Sequence, residues 1–160
     1  MKNNIRLSLI LVLIISLAGC KKQSIGPATD LRPAVSITVS NAIDYRPEPT
    51  VSTSKAGGGA IQIVLSISSG LGRTIKEITK VSTSTNYTLV QGSTGAYNSA
   101  PIPGNGTTVT FTTSLTEYVV KAPGVIPASN TELAKRFYFI VTLDDGSVLV
   151  TMPARVLVLD

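Results

Sequence analysis

The chain has 160 residues, of which fourteen are basic and nine acidic, so its formal net charge is +5; it has no histidine, no tryptophan and one cysteine. This length fits one domain of ordinary size, and a mild charge from scattered basic residues gives no case for nucleic-acid binding. Without histidine there is no histidine-based triad or histidine zinc site, and a single cysteine excludes a disulfide within the chain. The abundance of Val, Ile and Thr is typical of β-strands.

Residues 1–19 have the organisation of an export signal. Lys2 and Arg6 precede a short apolar run, which ends in small residues at Ala18 and Gly19. This order of basic start, apolar middle and small cleavage site is that of a secretory signal peptide. The run is shorter than the roughly 20 residues that a membrane-spanning helix needs, so a permanent transmembrane segment is the weaker alternative.

The segment Leu17-Ala18-Gly19-Cys20 resembles the lipobox of bacterial lipoproteins. In that family a diacylglyceryl group is attached to the cysteine thiol, the signal is cut off, and the new amino terminus is commonly acylated. The resemblance implies lipid attachment at Cys20 and explains why an exported chain has one thiol. Lipid is also physically needed, because Lys21–Ser24 offers no apolar surface for a bilayer. A chance cysteine beside an ordinary cleavage site is the alternative.

Residues 20–33 read as the lipidated cysteine followed by a flexible tether, since they contain two prolines and no apolar periodicity. The β-domain is predicted to occupy residues 34–160. At its start, Val35, Ile37 and Val39 alternate with Ser and Thr, which is the period of a strand with one buried face.

The next segments alternate between turn and strand signals. Prolines within Arg46–Pro49 predict a crossing or a sheet edge, and Lys55–Gly59 predicts a glycine-rich turn. Residues 61–67 place Ile and Leu at every second position and predict a central strand. Residues 71–82 allow either helix or strand, and their content of Ile, Thr and Val favours a strand.

A turn at 83–86 and the short segment 87–90 lead to a long stretch without apolar pattern, residues 91–106. Loops of this length are uncommon unless they are functional or mobile, and of the loops in this chain we predict that this one is the interaction loop. Tyr97, with Asn98 beside it, is its best candidate for a ligand contact. The alternative is an ordinary packed tyrosine, which is the commoner fate of such a residue.

After the loop, alternation over 108–113 predicts a strand, and Tyr118–Val120 either extends it or begins another. Residues 122–130 read as loop. Thr131–Ala134 is predicted to form a single helical turn.

The C-terminal part is the clearest. Arg136–Leu143 and Ser147–Met152 are apolar runs joined by Asp144-Asp145-Gly146, which predicts a β-hairpin because glycine accepts the positive φ of the turn. Pro153 should interrupt pairing before a closing strand at 156–159. About seven strands in a domain of this size favour a two-sheet sandwich.

Two short patterns resemble known sites but have simpler explanations. Asp144-Asp145-Gly146 resembles part of a calcium loop, but Ser147–Met152 supplies none of the further ligands. Ser52-Thr53-Ser54-Lys55 matches the serine–lysine pattern of penicillin-binding enzymes, but it leads into glycines rather than a helix and has no S-D-N partner. We therefore predict no metal site and no catalytic serine.

Paired carboxylates are the remaining route to catalysis. No spacing singles out a pair, and most acidic residues lie in predicted turns or beside basic residues, so a surface role explains them better. The candidates are Asp44, Glu48, Glu77, Glu117, Glu132, Asp144 and Asp145.

The lipobox, the polar tether and a single Thr-rich β-domain together resemble the small immunoglobulin-like lipoproteins of Bacteroidota. Arg136–Leu159 looks like the last hairpin of such domains. The resemblance implies an all-β, immunoglobulin-like sandwich and a place in the cell envelope, at the outer membrane. In that group, acidic residues soon after the cysteine accompany surface display. Lys21-Lys22-Gln23 differs, so the periplasmic and the surface side both stay open.

We therefore expect an envelope lipoprotein, held to the membrane by lipid on Cys20, whose domain is non-catalytic, uses no cofactor and binds or supports a protein or a glycan. The first alternative is a glycan-binding accessory of a polysaccharide-uptake system. The second is a carboxylate-dependent hydrolase. Sugar-binding surfaces use exposed aromatic faces, tryptophan above all, and the chain has no tryptophan.

Overall fold

A computed structural model describes residues 34–84, 86–122 and 124–160. The predicted signal at 1–19, the lipidation site at Cys20 and the tether that follows lie outside the described residues. Residues Ala34–Asp160 form one compact unit.

Within the described residues, the chain forms ten strands, two short helices and one 3₁₀ turn. The strands are β1 (Thr38–Val39), β2 (Thr50–Ser54), β3 (Ala60–Ser66), β4 (Ile75–Ser82), β5 (Ile102–Pro103), β6 (Thr108–Ser114), β7 (Thr131–Glu132), β8 (Tyr138–Leu143), β9 (Val148–Val150) and β10 (Arg155–Leu159). The helices are α1 (Tyr87–Gln91) and α2 (Leu115–Lys121), and the 3₁₀ turn is Ser69–Leu71.

The all-β prediction is confirmed, but the described strands number ten rather than about seven, and they form three sheets rather than two. The sheets have the orders β1-β3-β6, β2-β10-β7 and β5-β4-β8-β9. Three of the strands, β1, β5 and β7, have only two residues each. The strand predicted from the alternation at Val35–Val39 is confirmed in part by β1, whereas β2, β5 and β7 were not predicted. The two residues of β5 or of β7 are too few to show an alternation in the sequence.

The predicted central strand is confirmed by β3. It lies between β1 and β6 and pairs antiparallel with β6 over its whole length, with Ile63 opposite Phe111. The apolar residues at every second position are buried, and the residues between them are more exposed. Alternation located this strand because one of its faces meets the core.

The predicted strand at 71–82 is confirmed as β4, and its pairing explains why the sequence left a helix open. The register between β4 and β8 shifts twice, between Ile75 and Glu77 and between Ile78 and Lys80. Each shift breaks the strict alternation of inward and outward side chains, so the bulged strand has no clean period of two.

The predicted C-terminal hairpin is confirmed by β8 and β9. Gly146 has a φ of 82°, in the region that favours glycine. Its N–H donates to the carbonyl oxygen of Leu143 at 3.0 Å, and the N–H of Leu143 donates to that of Ser147 at 2.9 Å. The closing strand is also confirmed, as β10; its parallel partner β2 was not predicted.

The strand predicted for Tyr118–Val120 is wrong, because these residues lie in helix α2. Ser114 caps the helix: its hydroxyl oxygen accepts a hydrogen bond from the N–H of Glu117 at 3.1 Å. Ser114-Leu115-Thr116-Glu117 has the spacing of a capping box, the sequence signal that marks such a helix start.

The helical turn predicted for Thr131–Ala134 is also wrong. Thr131 and Glu132 form β7, which pairs antiparallel with β10, and the carboxylate of Glu132 forms an ion pair with Arg155 on that strand. The partner strand lies more than twenty residues away along the chain, so local sequence could not show this pairing. The segment after residue 86, to which no element was assigned, forms helix α1.

Five aromatic side chains form the centre of the hydrophobic core: Tyr97, Phe111, Tyr118, Phe137 and Phe139. The ring centroid of Phe137 lies 5.4 Å from that of Phe111, 5.5 Å from that of Tyr97 and 5.9 Å from that of Tyr118. Rings at such distances and large interplanar angles attract one another beyond their burial. Phe137 thus joins β6, α2 and the long loop.

Candidate functional site

A buried lysine organises one face of the four-stranded sheet. Lys80 on β4 lies opposite Ile140 on β8 and is only 6% exposed. Its ammonium donates three hydrogen bonds of 2.6 Å, to the carbonyl oxygens of Leu89, Gly92 and Thr94. A buried charge is costly unless it is fully hydrogen-bonded, so these three acceptors account for the position of the lysine.

The same bonds fix the segment 87–94 against the sheet, because they hold the last turn of α1 and the residues after it. Burial lowers the pKa of Lys80 from its usual value, while the three carbonyl oxygens favour the charged form. Lys80 is therefore a structural clamp between β4 and this segment.

Beside the clamp lies a groove with a volume of about 670 Å³, which we call the aliphatic groove. Its lining residues are Thr79, Lys80, Gln91, Gly92, Ser93, Ala96, Ile140, Val148 and Val150. The volume falls within the range of roughly 300–1,000 Å³ that is usual for ligand pockets.

The floor of the groove comes from the hairpin. Ile140 lies directly opposite Val150, and Val148 lies two residues from Val150, so all three side chains share one face of the sheet. Val148 is 60% exposed and Val150 is 38% exposed. The opposite face carries Phe139, Val141 and Leu143, which are buried in the core. The hairpin is thus apolar on both faces, and only one face is used by the core.

The predicted interaction loop contributes one wall of the groove. Gln91, Gly92, Ser93 and Ala96 come from the first part of residues 91–106. That this loop binds a partner stays a prediction, but its first part lies where a ligand in the groove would touch it.

The sequence suggested Tyr97 as a ligand contact, with an ordinary packed tyrosine as the alternative. The side chain is only 5% exposed and packs against its neighbours. Its ring makes edge contacts with Phe111 and Phe137, and its hydroxyl forms a 2.7 Å hydrogen bond with the hydroxyl of Thr113. Burial raises the pKa of the Tyr97 phenol. These contacts leave the ring little surface for a ligand.

Asn98 attaches the loop to β4. Its side-chain oxygen accepts a hydrogen bond from the N–H of Val81 at 2.7 Å, and its amide nitrogen donates to the carbonyl oxygen of Ala100 at 2.8 Å. Both of these bonds serve the fold, and a ligand contact by Asn98 stays a prediction.

A second, more polar cavity of about 270 Å³ lies next to Tyr97 and Asn98. Its charged groups are Glu117 and Lys121 of helix α2, which form an ion pair of 2.6 Å. The Lys121 ammonium also donates to the carbonyl oxygen of Tyr97 at 3.0 Å. Hydrogen bonds from Lys121 and Thr113 lower the pKa of the Glu117 carboxyl. The polar groups of this cavity therefore bind one another and hold α2 to the loop.

Most of the candidate carboxylates are held in ion pairs with basic side chains. The pairs are Asp44 with Arg46, Glu48 with Arg136, Glu117 with Lys121, Glu132 with Arg155, and both Asp144 and Asp145 with Arg73.

Asp144 and Asp145 both form ion pairs with the guanidinium of Arg73, which brings their carboxylates close together. Hydrogen bonds from Arg73 lower the pKa of both carboxyls. A general acid that works near neutral pH needs the opposite, a raised pKa. Ser52, the other nucleophile considered, lies on β2 opposite Leu157 rather than at the start of a helix.

The chain matches no protein-family model, and comparison with curated proteins finds no match either. None of the helices in residues 34–84, 86–122 and 124–160 has the length and apolar character needed to cross a bilayer. The same residues contain no group of three or more acidic, cysteine or histidine side chains that is placed to hold a metal ion.

The residues that form the aliphatic groove were missed from the sequence. One signal was present: Phe137–Val141 is a continuous apolar run rather than an alternating one. A strand of an antiparallel sheet with one solvated face should alternate, so a continuous run indicates that the second face is also covered or used.

Proposed function

We propose that the chain is a membrane-anchored, non-catalytic lipoprotein of the cell envelope, and that its β-domain binds an apolar segment of a protein partner. The observation that carries the proposal is the aliphatic groove, whose floor of Ile140, Val148 and Val150 lies outside the core. When a partner covers exposed aliphatic side chains in such a groove and removes them from water, the free energy falls and the complex is stabilised.

A protein segment suits this groove better than a glycan. Sugar rings stack on exposed aromatic faces, and no aromatic residue is among the described residues that line the groove. Five aromatic side chains of the domain are instead buried in the hydrophobic core. The groove therefore does not favour the alternative that the chain is a glycan-binding accessory. The binding experiment includes glycan binding as one of its outcomes.

The non-catalytic part of the proposal is supported by the carboxylates. Most of the candidate carboxylates form ion pairs with arginine or lysine, and hydrogen bonds from Arg73 lower the pKa values of Asp144 and Asp145. A carboxyl whose pKa is lowered by a paired cation is a poor proton donor near neutral pH.

The anchor is tested by replacing Cys20 with serine. We expect the wild-type chain to incorporate an alkyne-tagged fatty acid in growing bacteria and Cys20→Ser to incorporate none. The variant should also keep its signal, because in lipoproteins lipid attachment precedes cleavage, so its mass should exceed that of the mature wild type. Equal labelling of the two chains would place the lipid elsewhere and refute the anchor.

The groove is tested by replacing valine with lysine at two positions, one on the groove floor and one outside the groove. The probe is a set of fluorescent ten-residue peptides in which Thr alternates with Val, Ile, Leu or Phe, titrated against the full chain in detergent. Val150→Lys puts a charge on the groove floor, and we expect the tightest peptide to bind at least about tenfold more weakly, a loss of about 1.4 kcal/mol.

Val125→Lys is the matched control, because Val125 is 84% exposed and does not line the groove. It should bind the peptides as the wild type does. The proposal is overturned if no peptide binds, or if the two variants behave alike. Retention of the wild-type chain on a glycan array without peptide binding would favour the glycan-binding alternative.

A further inference from the structure

The hydrogen-bonding pattern of the hairpin shows which groups of β9 face away from β8. The N–H of Leu143 donates to the carbonyl oxygen of Ser147, and the N–H of Thr151 donates to that of Phe139. In an antiparallel pair, bonded and non-bonded residue pairs alternate. Ser147, Leu149 and Thr151 therefore face β8 with their backbone groups.

It follows that the backbone N–H and C=O groups of Val148 and Val150 point to the outer side of β9. In the part of the chain that the structure describes, β9 is the last strand of its sheet, in the order β5-β4-β8-β9. The same two residues place their side chains on the floor of the aliphatic groove. A free sheet edge and an apolar surface thus coincide at two residues.

The opposite edge of the same sheet is protected in a way that β9 is not. β5 consists of Ile102 and Pro103, and Pro101 precedes it. Proline has no N–H to offer, and prolines and charged residues are the usual means by which proteins block edge strands. β9, with the sequence Val148-Leu149-Val150, has neither a proline nor a charge.

We infer that β9 accepts an extended, apolar peptide of a partner protein as a fifth strand of this sheet. The inference rests on the function proposed above and specifies how the partner binds. Backbone hydrogen bonds to Val148 and Val150 hold the peptide, and every second side chain lies about 5 Å from these valines, on the face of the sheet that carries the groove floor. This is strand addition at a sheet edge, in which the main chain gives affinity and alternate side chains give specificity.

A second copy of this chain fits the edge less well. β9 has three residues, so pairing two copies through it buries far less than the roughly 800 Å² per partner of a stable interface. A flexible peptide can pair with the edge and also bend its side chains into the groove, which a rigid second domain cannot do through β9 alone.

Hydrogen exchange of single backbone amides, read by NMR on the full chain in detergent, tests this inference without any variant. With the tightest of the alternating Thr and aliphatic or Phe peptides, we expect the exchange of the Val148 and Val150 amides to slow by at least about tenfold, as amides that gain a hydrogen bond do. The amide of Leu149 faces β8 and serves as the internal control, since it should be protected with or without peptide.

Val150→Pro gives the matching binding test. It removes an outward N–H and leaves the bonds between β8 and β9 in place, so we expect peptide binding about tenfold weaker with the hairpin intact. If peptides bind and Val150→Lys weakens them, but the two amides stay unprotected and Val150→Pro has no effect, strand addition is refuted and the proposed function stands. If no peptide binds, both fail. If the amides are protected in a dimer without peptide, a second copy occupies the edge and the inference is wrong.

Discussion

Replacing Phe137 with alanine is expected to lower the free energy of unfolding by about 3–5 kcal/mol, the usual cost of removing a buried Phe side chain. Phe137 is completely buried, and its ring meets three other aromatic rings, those of Phe111, Tyr97 and Tyr118. These rings belong to different elements, so they cannot close the cavity without moving β6, the loop and α2 together. Urea denaturation followed by far-ultraviolet circular dichroism measures the change.

Tyr138→Ala is the control for this prediction. Tyr138 is the next residue, also aromatic, but it is only partly buried. Its side chain points to the other face of the sheet, so its loss should cost no more than about 1 kcal/mol. Equal destabilisation by the two substitutions would show that the aromatic cluster is not the centre of the core.

Replacing Lys80 with methionine is expected to loosen the segment 87–94 and to reduce stability by about 2–3 kcal/mol. Methionine keeps the aliphatic stem but removes the ammonium, which leaves the carbonyl oxygens of Leu89, Gly92 and Thr94 without their donor. Because the residues after α1 form a wall of the aliphatic groove, peptide binding should weaken in parallel. Hydrogen exchange across 87–94 and peptide titration measure the two effects.

Lys76→Met on the same strand is the matched control, because Lys76 is exposed. It removes the same charge and should change neither stability nor peptide binding. If Lys80→Met binds peptides as the wild type does, while amide exchange in 87–94 is also unchanged, Lys80 is not the clamp of the groove.

Elements with clean patterns could be predicted from the sequence. β3 was predicted because apolar and polar residues alternate along it, as they do in a strand with one face in the core. The β8–β9 hairpin was predicted because Gly146 lies in the turn between two apolar runs. β10 was found because apolar residues resume after Pro153. In each case the local pattern and the tertiary environment agree.

Other elements depend on information that a local pattern does not carry. The bulges of β4 interrupt the alternation of inward and outward side chains. The two residues of β7 form a strand by pairing with β10, which is distant along the chain. α2 is different, since the capping box at Ser114–Glu117 was readable and was overlooked in favour of the β-forming residues that follow.

The candidate site was the least predictable feature. Lys80 binds backbone carbonyl oxygens, which every residue has, so no motif marks its partners. Tyr97 looked exposed because its loop has no apolar pattern, yet its ring enters the aromatic core. The apolar second face of the hairpin was visible as the run Phe137–Val141, but only the sheet order shows that it borders a free edge.

Mapping amide chemical shifts on the full chain during a peptide titration shows whether the proposed partner segment binds in the aliphatic groove. We predict that the largest changes fall on residues 91–96, on Ile140 and on Val148–Val150, and that they saturate together. Changes concentrated elsewhere, such as around the exposed Val125, or the absence of any saturating change, would contradict peptide binding in the groove.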